Sequence, residues 1–395
     1  MSRLSLRILK QLSSSCVEKR RNGADDDDDE LENLLRTQLT LKESNQPQEL
    51  FHYTKTDTEL KFDERLGLKV LNFSPQVSKP KAKPKSNQRR NKPKPQCSQI
   101  GADLLLGYSR FKPASPKLVY QLDDVFTALK HGLDEGLVDL RSEHIVSLRR
   151  VLLILMLIPL KQKHVKFNVI YWKNLIIIDY AWESEENDKF PNERLQQLQY
   201  SGFRFEEIVT SGDFNSRYYT FVQLVVNGVN LHYTAEIDGA IKDNVNPSGY
   251  VELKTHLKLL SSLNLQQKLL STWCQNKLIG CKHTVIGFRS GGFRLSSLKY
   301  YSNTDLNNTT NNAPIAIDRE YSLNGAKLNK WFESVIVWIQ QFHKGCPEPK
   351  AFKLTFHRKP DLFDSELQFE TTDEKTSQTI VDETVPEWFQ TFFNE

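Results

Sequence analysis

The chain has little of what commonly carries cross-links and cofactors. Among 395 residues there are five cysteines, at 16, 97, 274, 281 and 346, and no Cys-x-x-Cys pair. A zinc ribbon or dithiol centre is therefore excluded, and an odd, unpatterned set points to a reducing compartment rather than a disulfide framework. No stretch has P-loop spacing; Gly287–Gly292 holds glycines without the phosphate-cradling interval. No internal repeat and no secretory signal are visible. The longest apolar run, Val151–Leu160, falls well short of the roughly 20 residues needed to cross a bilayer. It reads as a buried helix, and no membrane partner is expected. Hydrophobic residues make up only 38%, so part of the chain is expected to stay solvated.

Charge is present but unevenly placed. Net charge is +4, and the run Asp25–Glu30 is six consecutive acids, so the rest of the chain is basic. A basic body suits a polyanionic partner. Residues 1–45 are expected to be a disordered extension carrying that acidic run. Arg3, Arg7, Lys10, Lys19 and Arg20, with Leu4, Ile8 and Leu12 on one stripe, are similar to a mitochondrial presequence; a plain extension is the alternative. Residues 46–395 are expected to form a single domain, interrupted at 78–96. That stretch holds eight Lys or Arg and four prolines, cannot bury a core, and reads as a disordered basic insertion.

Periodicity gives a coarse map. Strand-like stretches fall within 49–73 and at Leu66–Phe73. Residues 117–160 read as helical, with Leu118, Val125, Leu129, Leu133 and Leu137 at helical spacing. Strands follow at Val165–Tyr171, Leu175–Asp179, Phe203–Thr210 and Tyr218–Val226. A helix is expected at Leu265–Cys274, a strand at Thr284–Arg289, and a loop at Tyr301–Pro314. Gly325–Phe342 reads as a strong helix with Trp331, Val335, Trp338 and Phe342 as its buried stripe. The strand Phe352–His357 precedes an acidic, aromatic C-terminal segment. Interleaved helices and antiparallel hairpins indicate a mixed α/β or α+β domain.

Glu236-Ile-Asp238 and Glu252-Leu-Lys254 carry the clearest chemistry. Side chains alternate along a strand, so Glu236 and Asp238 share a face, opposite Tyr233, Ala235 and Ile237. Glu252 and Lys254 likewise share one. The loop Asp243–Gly249 is rich in turn residues, and a hairpin about residue 246 would set Asp238 opposite Lys254, with Glu252 one diagonal away. Three carboxylates and an ammonium would meet. Such a set holds a hard divalent cation, which can bind a phosphodiester and activate water. A surface hairpin with cross-strand ion pairs is the plain alternative.

With further segments, the chain resembles the DXO family of decapping exoribonucleases. Gly202-Phe-Arg-Phe-Glu206 is similar to that family's Gly-aromatic-x-Phe-Glu motif. Glu236-Ile-Asp238 and Glu252-Leu-Lys254 resemble its Glu-x-Asp and Glu-Leu-Lys motifs. Trp273-Cys-Gln275 resembles the helix bearing its Gln, and Val285–Arg289 the following strand. Gln46–Leu50, Phe62–Phe73 and Ala102–Phe111 resemble its opening segments. The resemblance covers residue 46 to the C-terminus. It implies two mixed β-sheets with surrounding helices, in one domain, with a core like the Asp…Glu-x-Lys metal-dependent nucleases. It further implies one or two Mg²⁺ or Mn²⁺ ions held by Glu236, Asp238, Glu252 and the Leu253 carbonyl, with Glu206 joining directly or through water. Lys254, Gln275 and Glu236 would meet the substrate around the scissile phosphate. Arg149, ten residues before Pro159, would hold the 5′ end. The family's Trp and Gly around that Arg are Leu148 and Arg150 here, which leaves the preferred 5′ group open.

The expected activity is a metal-dependent hydrolase of RNA 5′ ends, capped or 5′-phosphorylated. It would remove incomplete or non-canonical caps, unmethylated or NAD, and degrade the body 5′→3′. The rivals are a DNA endonuclease of the same superfamily and a catalytically silent RNA-binding module. No protein partner is legible, so a monomer is the simplest expectation. The expected compartment is the cytoplasm, with nucleus and mitochondrion as alternatives. Deleting residues 78–96 is expected to flatten the dependence of RNA affinity on salt, which runs near −0.7 per phosphate contacted on single strands. It should also weaken binding of long RNA. An unchanged slope would assign the stretch to import or solubility.

Overall fold

Strand-forming stretches between His144 and Glu236 build the centre of a large sheet, and the rest of the fold is arranged around it. The computed structural model describes residues 2–10, 46–74, 99–182 and 192–394, apart from Asp243, 259–260, Glu320 and 344–345. The acidic run, the basic stretch 78–96, Cys16 and Cys97 lie outside the described residues. In chain order the strands are β1 (Arg3–Ser5), β2 (Gln48–Lys55), β3 (Leu60–Phe62) and β4 (Val70–Leu71). Helices α1 (Pro116–Tyr120) and α2 (Asp123–Asp134) follow. Next come β5 (His144–Leu148), α3 (Arg149–Met156), β6 (Val165–Trp172), β7 (Leu175–Tyr180) and α4 (Glu193–Val209). Then come β8 (Thr210–Ser211), β9 (Arg217–Val226), β10 (Val229–Glu236), β11 (Gly239–Ala240), β12 (Tyr250–Leu257) and α5 (Ser262–Ile279). They are followed by β13 (His283–Arg289), β14 (Leu295–Ser302), α6 (Asn303–Asn312), β15 (Ile315–Ala316) and β16 (Ser322–Leu323). The last elements are α7 (Gly325–Phe342), β17 (Lys350–His357), β18 (Glu366–Thr371), α8 (Glu374–Thr384) and α9 (Glu387–Asn394).

Ten strands form the larger sheet, in the order β1-β18-β17-β6-β7-β5-β10-β9-β2-β3. Six form the smaller, β14-β13-β12-β11-β4-β8. Both are mixed. β5 runs parallel to β7 and β10, and β12 runs parallel to β13, whereas the hairpins are antiparallel. The β9–β10 turn is Asn227-Gly228, with both residues at positive φ, the pairing a type I′ hairpin demands. Helix α7 covers one face of the larger sheet, burying Leu328, Trp331, Val335 and Trp338. The Trp331 indole donates to the Leu155 carbonyl at 3.0 Å, tying α7 to α3. On the other face, α2 and α9 bury Phe126 and Phe389.

Several elements differ from the pattern reading, each for a physical reason. His144–Leu148 is a strand inside a stretch read as helical. It lies between two parallel neighbours and is buried almost throughout, so it shows no alternation. Phe203–Thr210 is mostly the end of helix α4, not a strand; Ser201, Phe205 and Val209 recur every four residues on its buried side. Tyr301–Pro314 is not a loop. A capping box of Ser302 and Asp305 starts α6 there, and two reciprocal bonds outweigh a composition poor in helix formers.

The N-terminal residues are also not a free tail. β1 pairs antiparallel with β18, and Leu4, Leu6, Ile8 and Leu9 are buried in the main core. Three of the cations in that pattern have partners on the body, Arg3 with Glu366, Arg7 with Asp364 and Lys10 with Asp318; Lys19 and Arg20 lie outside the described residues. Leu4 stands on a strand rather than on the helical stripe expected with Ile8. Among the described residues no helix is long and apolar enough to cross a membrane.

One buried pair gives the larger sheet a pH limit. His144 and His232 stack on adjacent strands with their Nδ1 atoms 3.1 Å apart. Burial, joined for His232 by the neighbouring imidazole, holds both below the ordinary range, His232 at about 3. Unfolded histidine titrates near 6.5. Below that pH the unfolded chain binds protons that the folded chain refuses, so stability falls as pH drops from about 6.5 toward 3. His232 alone should cost about 1.4 kcal/mol per pH unit in that window. Denaturant titrations at pH 7 and 5 check this, and His232→Leu should flatten the slope.

Candidate active site

The site forms where the chain passes from the larger sheet to the smaller. β10 ends at Glu236 and β11 begins at Gly239. The Ile237 N–H still bonds the Tyr218 carbonyl at 3.0 Å, so alternation continues across the junction. Ala235 and Ile237 are buried while Glu236 and Asp238 remain partly exposed on one side.

The register differs by two residues of β12 from the hairpin expected about residue 246. Gly239 pairs with Val251 and Ala240 with Tyr250, which sets Asp238 level with Glu252 rather than Lys254. The Ile241–Asn244 bridge and the turn Pro247–Gly249 take up the loop unevenly. β11 stops at Gly239, leaving the edge of β12 uncovered beyond Val251. The Asp238 carboxylate fills that gap, accepting the Leu253 N–H at 2.8 Å. The N–H and C=O of one strand residue point to the same edge, so the Leu253 carbonyl also faces Asp238.

Glu252 is the centre of the charge network. It is 1% exposed. Its carboxylate pairs with Lys254 and, at 3.5 Å, with Arg149, the first residue of α3. Gln275 of α5 donates to the same group. Glu206 comes from α4, whose seat is set by Phe205 lying over Gly287; a Cβ there would stand 2.5 Å from the ring. Lys69 lies 3.5 Å from Glu206, and Arg217 3.6 Å from Glu236. Glu207 points away and pairs with Arg204.

The electrostatics are divided. Burial pushes Glu252 up, but Lys254 and Arg149 pull it below the ordinary carboxylate range. Burial and the adjacent Glu252 hold Asp238 well above that range. Burial raises Glu206 to about 7 despite Lys69, with Glu236 adding repulsion. Burial disfavours charge on Lys254, yet Glu252 and Asp238 keep its pKa above normal.

The carboxylates were expected as one ready cage. Among the described residues no three His, Cys, Asp or Glu side chains already stand as one: Glu206, Glu236 and Glu252 each face a cation, and Asp238 faces the Leu253 N–H. The donor set nevertheless fits a hard divalent ion: four carboxylates and a backbone carbonyl, all oxygen. Two of the four are pushed up by burial and by their neighbours, the mark of negative charge that a dication would relieve. Arg149, Glu206, Glu236, Asp238, Glu252, Leu253, Lys254 and Gln275 are therefore all brought together. Lys69 and Arg217 were not foreseen. The Asn227-Gly228 turn signalled Arg217, since a two-residue hairpin there brings Arg217 level with Asp238; Lys69 had no comparable signal.

Comparison with known proteins gives a consistent result. The family described as RAI1 like PD-(D/E)XK nuclease matches residues 45–390. A Decapping nuclease RAI1 of Scheffersomyces stipitis is 23% identical over 303 residues, covering 64% of this chain and 75% of that protein. The solved structure of Scheffersomyces stipitis Rai1 in complex with (3′-NADP)⁺ and calcium ion superposes with a TM-score of 0.69 at 20% identity, covering 88% of this chain and 94% of that one. Candida albicans Rai1 in complex with pU5-Mn²⁺ gives 0.69 at 21% identity, covering 88% and 96%.

The Lys254–Glu252 contact is expected to support the fold as well as the site. Lys254→Ala leaves a buried carboxylate with Arg149 as its one cation and the Gln275 amide beside it. Losing one partner of a buried pair costs about 3–5 kcal/mol; partial exposure of Lys254 and the remaining Arg149 should hold the loss to about 2–3 kcal/mol. Glu252→Gln combined with Lys254→Met should recover much of it, as a double-mutant cycle by urea denaturation will measure.

Proposed function

We propose that this chain, which belongs to the RAI1-like PD-(D/E)XK nuclease family, hydrolyses RNA at its 5′ end. It removes incomplete or non-canonical caps and degrades the body 5′→3′. The observation that carries the reading is the meeting of Glu206, Glu236, Asp238 and Glu252 with Lys254, Arg149 and Gln275 at one sheet junction. An acid cluster alone would suit an ion; an acid cluster edged by cations and an amide suits an ion together with a phosphodiester. The RAI1 and Rai1 relatives are named as decapping nucleases, and two were solved with a dinucleotide or a 5′-phosphorylated oligouridine.

Each residue has a proposed task. Glu236, Asp238, Glu252 and the Leu253 carbonyl hold Mg²⁺ or Mn²⁺, with Glu206 joining directly or through water. When bound, the ion supplies Lewis acidity to the scissile phosphate and activates the attacking water. Asp238 is pre-positioned by the Leu253 N–H, so its carboxylate need not be ordered during binding. Lys254 and Arg149 now face the Glu252 carboxylate; an incoming phosphate offers them an anion at the same place. Lys254 and Gln275 would meet the first internucleotide phosphate. Arg149, fixed at the start of a buried helix, would hold the 5′ end and so set where the strand stops.

Glu236→Ala with Asp238→Ala should abolish cleavage of 5′-labelled capped RNA while leaving the unfolding transition intact, as EDTA should for the unmodified chain. Circular single-stranded RNA should resist attack. Cutting of circular and linear RNA at equal rates would replace this reading with an endonuclease.

A further inference from the structure

The pairing of β2 with β9 slips at one residue. Glu49 lies opposite Val222 and Phe51 opposite Phe221, which leaves Leu50 as the extra residue of a β-bulge. Bulges re-aim side chains. In a regular strand Glu49 and His52, three positions apart, would leave opposite faces. Here they share one, and His52 Nδ1 stands 3.5 Å from the Glu49 carboxylate. Phe51 and Tyr53 pack in the core under α2, so the bulge turns Glu49 the other way, toward the seam between the two sheets.

One oxygen of that carboxylate collects two hydroxyls. Thr220 of β9 donates to Glu49 Oε2 at 2.7 Å, and Tyr250 of β12 donates to the same atom at 2.8 Å. Thr220 belongs to the larger sheet and Tyr250 to the smaller. Tyr250 opens β12, and Glu252, two residues on, leaves the same face. With its proton directed at Glu49, the Tyr250 oxygen accepts from the Tyr218 hydroxyl 2.9 Å away. The Tyr218 carbonyl accepts the N–H of Ile237, the residue between Glu236 and Asp238. Glu252 is thus connected to Glu49 through Tyr250, and Glu236 and Asp238 through Tyr218. All three hydroxyl-bearing residues are buried, so water cannot stand in for a lost bond without cost.

We propose that Glu49 is a positioning residue for the metal site. It sets Glu252, carried by the smaller sheet, against Glu236 and Asp238, carried by the end of the larger one. The inference rests on the metal-dependent reading above. An ion whose ligands come from two sheets is held only as firmly as the sheets are held to each other. Groups behind the ligands commonly contribute about 10- to 100-fold to metal affinity. A carboxylate suits this place because each oxygen can accept two donors and brings none of its own.

The test reads metal binding apart from turnover. Mn²⁺ is titrated into the RNA-free chain by calorimetry, with urea denaturation measured beside it. Glu49→Ala should weaken Mn²⁺ affinity about tenfold, the low end of that range. Tyr250→Phe removes the same bond from its other end and should match this loss, and the double variant should be no weaker than either. Glu49→Gln keeps an oxygen able to accept both hydroxyls and should stay within about twofold of the unmodified chain. At saturating Mn²⁺, cleavage of 5′-labelled RNA by Glu49→Ala should return to within about threefold, because no ligand has been removed. Glu49→Asp, whose carboxylate is drawn back by one methylene, should also weaken Mn²⁺ binding and carries the test if Glu49→Ala does not fold. Unchanged Mn²⁺ affinity beside reduced stability makes Glu49 a plain structural tie and overturns the proposal. Cleavage still lost at saturating Mn²⁺ gives Glu49 a direct part in the reaction and also overturns it. If the unmodified chain binds no Mn²⁺, the metal-dependent reading itself falls, and this proposal with it.

Discussion

One buried charge organises the site. Glu252 is almost wholly removed from water, and an isolated carboxylate there would be costly enough to neutralise itself. It stays ionised because Lys254 from its own strand, Arg149 from α3 and Gln275 from α5 all meet it. Satisfying that carboxylate therefore fixes the relative placement of a strand and two helices. The same three donors border the place where a phosphate would sit. Structural need and the proposed chemical use fall on one set of residues, so the two will be hard to separate without double variants.

The sheets divide the labour around this point. The larger sheet is buried on both faces and gives β10 a fixed exit. The smaller sheet supplies β12, and its strand β11 ends after two residues. Because β11 begins only at Gly239, the side chain of the residue before it, Asp238, takes the place of a strand at the edge of β12. Helix α4 brings Glu206 to the same seam because Gly287 lets Phe205 lie flat against the sheet. The acids thus arrive from the junction, the small sheet and a helix, each on a different rigid support. Such support matters where positions must hold to within about 0.5 Å.

Much of this was legible before the fold was known, and the misses share a cause. Runs of β-branched and aromatic residues located β6, β7 and β9 nearly to the residue, and the helical spacing of its buried stripe located α7. Pattern reading failed at His144–Leu148, buried on both faces, and at Phe203–Thr210, where Gly-Phe-Arg-Phe reads equally as a strand. The acids and Lys254 could be grouped from spacing alone. Their register could not, since it depends on how an irregular loop between Ile241 and Gly249 spends its length. Lys69 could not be found at all, because it reaches Glu206 across 137 positions of sequence.

The pairing of β1 with β18 carries a consequence for biosynthesis. Arg3 lies opposite Gln368 and Ser5 opposite Glu366, so β1 waits for a partner made more than 350 residues later. Until then Leu4, Leu6, Ile8 and Leu9 have no core to enter. Synthesis at about 5–20 residues per second leaves that apolar segment waiting for tens of seconds on a nascent chain. The larger sheet therefore cannot close along this edge until β18 has left the ribosome, and the segment stays an exposed apolar stretch during that interval.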